Sequence, residues 1–246
     1  FFVGARGEVK MNPAIIPSIF EMASYKKKGD MKLILSVESE EFLSKLTNSI
    51  LNLVDGIKIN HILYDQIESL RRKLRSDQEL FVDFKLFDTP NTVESVTKDV
   101  ISKGGTMLTV STYNNEETFN KLSKLNIKLL GVTYLTSWTP KEQADITKEI
   151  TYNMWKTHIA RVMKNNFYGM VCAVDDIQWV KSPIHTMKTI CPGIKYFEND
   201  NNTGQVRTSS PIQAKKEGAD YIVIGRSVTN SDRPLTVLEL IRQELL

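Results

Sequence analysis

Lys58, Asp83, Lys85 and Asp88 are the residues of this 246-residue chain whose types and spacing most clearly suit chemistry. The last three fall within Leu80-Phe81-Val82-Asp83-Phe84-Lys85-Leu86-Phe87-Asp88-Thr89-Pro90-Asn91-Thr92. An apolar run leads into the charges, and Pro90 disfavours helix at Thr89, so a strand should give way to a loop there. Strand side chains alternate between two faces, which sets Asp83 and Lys85 on one face and Phe84 on the other. Charges at the end of a buried strand have two readings. One is an internal ion pair, because charges are rarely buried unless paired. The other is a functional cleft of fixed charges.

The elements that must carry these residues repeat along the chain. Strands are expected at 32–37, 56–59, 80–85, 106–111, 127–135, 169–174, 190–194 and 220–224. Helices are expected over 39–52, 62–75, 92–103, 116–125, 140–165 with a break near Thr151, 177–189, 211–217 and 235–246. Strands alternating with helices imply a parallel sheet, and nearly continuous apolar strands imply cover on both faces. Roughly eight such units in this length predict an α/β fold of the (β/α)8 TIM-barrel type, with an open doubly wound sheet as the alternative. The domain reading is one barrel over 31–246. Residues 1–30 form an N-terminal extension with one helix starting at Asn12-Pro13.

Composition narrows the partners. Hydrophobic residues make up 41% and charged residues 25%, enough for an ordinary globular core. A net charge of +3 is too small a bias for nucleic-acid binding, and Lys26-Lys27-Lys28 and Arg71-Arg72-Lys73 read as solvated helix faces. No apolar run reaches the roughly 20 residues that span a bilayer, so no membrane partner is expected. Phe1-Phe2-Val3 is too short for a secretory leader. A chain that opens on Phe1 instead of Met fits a segment of a longer or processed protein. Cys172 and Cys191 lie outside any CxxC pair and read as buried thiols in a reducing cytoplasm. His61, His158 and His185 are far apart and lack paired-ligand spacing, so no histidine-rich metal site is expected.

In a barrel the active site lies at the C-terminal ends of the strands. Glu38, Lys58, Asp83, Lys85, Asp88, Thr136, Ser137, Lys195, Gly225 and Arg226 all fall at such ends. Ionisable groups from distant parts of the chain thus converge on one rim, which favours an active site over an internal ion pair. Ile224-Gly225-Arg226-Ser227 suits phosphate: the glycine admits an anion to the backbone and Arg226 offers a forked cation. Gly193 and Gly204 bracket a polar loop that could fold over a ligand.

The segment from Asp83 to Thr92 resembles the DxKxxD…TPNT signature of the orotidine 5'-monophosphate decarboxylase family. Lys58 in GIKIN, Leu135-Thr136-Ser137, Pro192-Gly193-Ile194 and Ile222-Val223-Ile224-Gly225-Arg226-Ser227 match further blocks in the family's order. Glu38 stands where the family usually has Asp, Thr89 replaces a usual Ile, Ser111 a frequent His, and Lys195 an Arg common in bacterial members. The resemblance implies cofactor-free conversion of orotidine 5'-monophosphate to uridine 5'-monophosphate, the last step of de novo pyrimidine synthesis, in the cytoplasm. It implies that Lys85 stabilises and protonates the carbanion at C6 of the pyrimidine, and that Asp83 lies beside the departing carboxylate. It further implies that Lys58 and Glu38 contact ribose, Thr136 and Ser137 the pyrimidine, and Thr92 ribose or phosphate. Gln205, Gly225 and Arg226 then hold the phosphate, and Lys195 is a further substrate-binding residue. Asp88 is expected to cross into the site of a partner copy, making the unit a homodimer. Two alternatives remain: a Mg-dependent keto-sugar-phosphate lyase of the same superfamily, and a non-catalytic barrel that binds a phosphorylated ligand.

Overall fold

Eight apolar segments form the strands: β1 (Lys32–Val37), β2 (Gly56–Ile59), β3 (Glu79–Leu86), β4 (Met107–Ser111), β5 (Lys128–Val132), β6 (Gly169–Val171), β7 (Lys188–Ile194) and β8 (Tyr221–Ile224). In the computed structural model, which describes residues 31–147, 151–181, 187–197 and 206–246, they close into one barrel in sequence order. All neighbours are parallel, and β8 returns to β1 with Ile34 beside Val223 on one side and Gly56 on the other. This is the predicted (β/α)8 barrel.

Two apolar layers hold it together. Ile34, Phe81, Met107, Leu130, Ile190, Tyr221 and Val223 fill the barrel interior. A larger cluster, including Leu33, Leu35, Ile57, Val82, Leu108 and Ile222, packs the outer strand faces under the helices. Alternation along each strand explains the division. It also places Ser36 beyond Ile34 and Asp83 beyond Phe81 on the inward face, above the apolar plug. At the other end Glu79 accepts from Thr106 Oγ1 at 2.8 Å and pairs with Lys128. Asp220 pairs there with Lys188 at 2.9 Å and Lys181 at 3.0 Å. Those charges bind the strand starts together.

The helices begin where short polar side chains can take up free amides. Ser39 accepts from Phe42 N, Asn115 from Thr118 N and Ser210 from Gln213 N. Proline occupies the first turn of Pro90–Ser102, Pro211–Lys216 and Pro234–Leu245, where its missing N–H costs nothing.

Several sequence expectations need correction. The single helix expected over 39–52 is two, Glu40–Ser44 and Asn48–Asn52, because Thr47 caps a second start at Ile50 N. The helix expected from Ile62 opens with a 3-10 segment, His61–Gln66, before Ile67–Lys73. The helix expected over 177–189 is only Ile177–Val180 among the described residues. Lys188 and Thr189 instead start β7, held by Asp220, which accepts from Thr189 N at 3.0 Å. A short helix, Arg226–Thr229, follows Gly225 directly. The expected N-terminal helix and Gln205 lie outside the described residues. No described helix is long and apolar enough to cross a membrane.

Candidate active site

At the C-terminal mouth of the barrel lies a cavity of about 430 Å³, within the range that holds a small organic ligand. Its wall takes residues from seven strand ends. Ser36 lies near the end of β1 and Glu38 follows it, Lys58 lies in β2 and Asn60 follows it, and Asp83 and Lys85 lie in β3. Thr136 and Ser137 follow β5, Val171 ends β6, Pro192 and Gly193 belong to β7, and Gly225 and Arg226 follow β8.

Asp83 is the hinge of the charge arrangement. Its Oδ2 lies 3.2 Å from Lys58 Nζ and its Oδ1 lies 2.9 Å from Lys85 Nζ. Thr109 Oγ1 donates to Oδ1 at 2.9 Å. Lys58 also faces Glu38 Oε1 at 3.8 Å, and Ser36 Oγ donates to that same oxygen at 3.1 Å. The result is a row Glu38–Lys58–Asp83–Lys85 of alternating sign. Burial alone would raise the Asp83 pKa, but the two lysine charges and the hydrogen bonds from Lys85 and Thr109 outweigh it and hold the carboxyl below its ordinary value. Lys58 and Asp83 are nearly enclosed, whereas the Lys85 side chain is 40% exposed at the mouth. Lys85 is thus placed to meet an incoming molecule.

The backbone that presents Lys85 is not the regular strand that alternation suggested. Against β4, β3 is in register at Phe81–Met107 and Val82–Leu108, then slips so that Leu86 faces Val110. Four steps along β3 match two along β4, a bulge. Lys85 within it has φ of 49°, a left-handed conformation that costs an L-residue about 1–2 kcal/mol. Its amide is taken up by Thr109 Oγ1 at 2.8 Å. Asp83 and Lys85 do meet in the cavity, through this kink.

The remaining predicted site residues divide. Thr136, Ser137, Gly225 and Arg226 line the cavity. Gly193 lines it too, in a left-handed turn with φ of 76° that favours glycine. Lys195 lies outside this lining, and its amide donates to Ser209 O at 2.9 Å. Asp88 and Thr92 are exposed on the same rim and also outside the lining. Asp88 Oδ1 accepts from Thr89 N at 2.6 Å, and Thr92 Oγ1 lies 2.9 Å from Thr89 Oγ1. Beside them Phe87 is 68% exposed.

Sequence reasoning missed four groups. Ser36 and Thr109 are polar interruptions of apolar strands, a signal that could have been used. Asn60 and His61 follow β2 directly. Tyr134 has no such signal, nor has the ion pair behind it. Arg207 donates to both oxygens of buried Asp176 at 2.7 Å, and Tyr134 OH donates to Asp176 at 2.9 Å. This clasp fixes the wall beside Leu135-Thr136-Ser137. Cys172 and Cys191 are buried free thiols, 4.0 Å apart, with the contact to Cys191 and burial raising the Cys172 pKa.

A barrel whose strand ends gather an alternating Lys/acid row, a glycine-arginine turn and polar side chains is of the phosphate-ligand enzyme class. The model of the Orotidine 5'-phosphate decarboxylase / HUMPS family matches residues 31–241, and the chain belongs to that family. An orotidine 5'-phosphate decarboxylase of Wolbachia pipientis is 32% identical over 182 residues, covering 72% of this chain and 80% of its own. One from Buchnera aphidicola is 27% identical over 247 residues, covering 96% of this chain and 99% of its own. The crystal structure of orotidine 5'-phosphate decarboxylase from Lactobacillus acidophilus shares the fold with a TM-score of 0.71 at 22% identity. That match covers 88% of this chain and 99% of the other.

Proposed function

We propose that this chain removes carbon dioxide from orotidine 5'-monophosphate, giving uridine 5'-monophosphate, the closing step of de novo pyrimidine synthesis in the cytoplasm. The observation that carries this is Asp83 clamped between Lys58 and Lys85 at the mouth of a barrel of this family. The chemical obstacle is the electron pair left at C6 when the C–C bond breaks. No ring position delocalises it well, so the barrier must fall through charges already in place. The Lys85 ammonium is the exposed cation of the row. It stabilises the developing charge and then gives its proton to C6. Asp83 stands beside the departing carboxylate and keeps Lys85 aimed. Lys58 and Glu38 hold ribose, and Thr136 and Ser137 hydrogen-bond the pyrimidine.

Gly225 and Arg226 take the phosphate, remote from the reacting carbon, with Gln205 assigned to the same side and Lys195 to substrate binding by resemblance alone. Binding there supplies energy for closing the site that is realised at the transition state. Arg226→Ala should lower kcat/KM for orotidine 5'-monophosphate by about 10–100-fold, the range for a lost charged hydrogen bond or two. An unchanged value in steady-state assays would remove Arg226 from the phosphate site.

Asp88 and Thr92 serve a second copy of the chain. Their exposure on the rim, with Phe87 exposed beside them, supplies a surface for a symmetric partner. Mixing inactive Lys85→Ala and Asp88→Ala subunits should restore about a quarter of wild-type activity, since random pairing leaves one intact site in each hybrid. No recovery after subunit exchange would rule out the shared site.

The whole proposal is tested by adding orotidine 5'-monophosphate to the purified chain and following pyrimidine ultraviolet absorbance in the presence of EDTA. Loss of absorbance that EDTA leaves unchanged is expected. Both Asp83 oxygens are already engaged by cations and Thr109, an arrangement that repels a divalent ion. Turnover that EDTA abolishes would favour the Mg-dependent lyase, and binding without turnover the non-catalytic barrel.

A further inference from the structure

Thr109 is fully buried on the inward face of β4, and its hydroxyl lies between the two halves of the Asp83–Lys85 unit. The hydroxyl has one proton and spare lone pairs, and both capacities are used. The proton goes to Asp83 Oδ1 at 2.9 Å. A lone pair receives the backbone amide of Lys85 at 2.8 Å. That amide belongs to a residue in a left-handed conformation, within a bulge where the β3–β4 ladder has slipped. The hydroxyl therefore replaces the ladder bond that the slip removes. A side chain without an oxygen here would leave the Lys85 amide unpaired and Asp83 Oδ1 with Lys85 Nζ as its remaining partner.

We infer that Thr109 is a positioning residue for decarboxylation, locking the kinked Lys85 backbone and the Asp83 carboxylate into one rigid pair. It acts through these two residues and does not touch the substrate. The inference rests on the function proposed above. A transition state stabilised by preset charges is sensitive to their placement within a few tenths of an ångström, whereas ground-state binding through ribose and phosphate is not. The effect therefore belongs in kcat.

Thr109→Val keeps the shape and removes the oxygen, and Thr109→Ser keeps the oxygen and removes the methyl. With orotidine 5'-monophosphate, Thr109→Val should lose about 10–100-fold in kcat with KM within about threefold. Thr109→Ser should stay within about threefold of wild type in both. In Thr109→Val the Asp83 carboxyl, followed by carbon-13 NMR, should also titrate at higher pH than in wild type. That readout needs no turnover. A wild-type kcat in folded Thr109→Val, or a loss in Thr109→Ser as large as that in Thr109→Val, would overturn the inference. So would an unmoved Asp83 titration. A wild-type chain that leaves the nucleotide untouched would instead defeat the proposed function, so the two failures are distinct.

Discussion

Replacing Lys85 with alanine should abolish turnover of orotidine 5'-monophosphate, by at least about 10⁴-fold in kcat/KM, while the protein stays folded. The magnitude combines two losses. A positioned proton donor contributes about 10²–10⁴-fold, and a preset charge facing developing charge about 10²–10³-fold. Stability should change by less than about 1 kcal/mol, because the Lys85 side chain is 40% exposed and Asp83 retains Lys58 and Thr109 as partners. Circular dichroism and a thermal melt check the fold, and a discontinuous product assay with a long time course checks the activity. Residual activity within tenfold of wild type would mean that another group delivers the proton.

Asp83→Ala should damage both activity and stability. Lys58 is nearly enclosed and, among the described residues, would keep Glu38, 3.8 Å away, as its counter-charge. Removing one member of an enclosed ion pair costs about 3–5 kcal/mol. In a chain of this size that corresponds to roughly a 10 °C fall in Tm. The pH dependence follows from the depressed Asp83 pKa. Its stabilising contribution is complete above the unfolded value of about 3.9 and fades only as pH falls through the lower folded value. The stability gap between wild type and Asp83→Ala should thus be constant from neutral pH to about pH 5 and narrow only in stronger acid. Denaturant melts at a series of pH values measure it. A gap already closing near pH 6 would show that Asp83 is not held in its ionised form by the two lysines.

Much of this site could be seen in the sequence because local patterns encode it. The alternation of apolar strands and capped helices predicts the barrel, and barrel geometry alone sends Glu38, Lys58, Asp83 and Arg226 to one rim. The alternation rule also brought Asp83 and Lys85 together, yet for an incomplete reason. It assumed a regular strand, whereas the slip in β3 and the left-handed Lys85 depend on Thr109 of the neighbouring strand, 24 positions later. Pairings of that kind have no local pattern. The same holds for Arg207, which reads as a solvated charge in a polar loop until Asp176 and Tyr134 are brought against it. Helix ends suffered for a different cause. Thr47 starts a new helix within what looks like one amphipathic run. Lys195 rests on resemblance alone: its position in the chain suggests the site, and it lies outside the lining of the described cavity.

The most direct test restores the ammonium chemically. Lys85→Cys should be inactive, and its exposed thiol can be alkylated with bromoethylamine while buried Cys172 and Cys191 are spared. The side chain so formed carries an amine at nearly the lysine position. Recovery of at least about a tenth of wild-type decarboxylation of orotidine 5'-monophosphate is expected, because charge and reach are both returned. A fully alkylated, folded enzyme that remains inactive, or a Lys85→Cys variant as active before alkylation as after, would contradict the role given to Lys85.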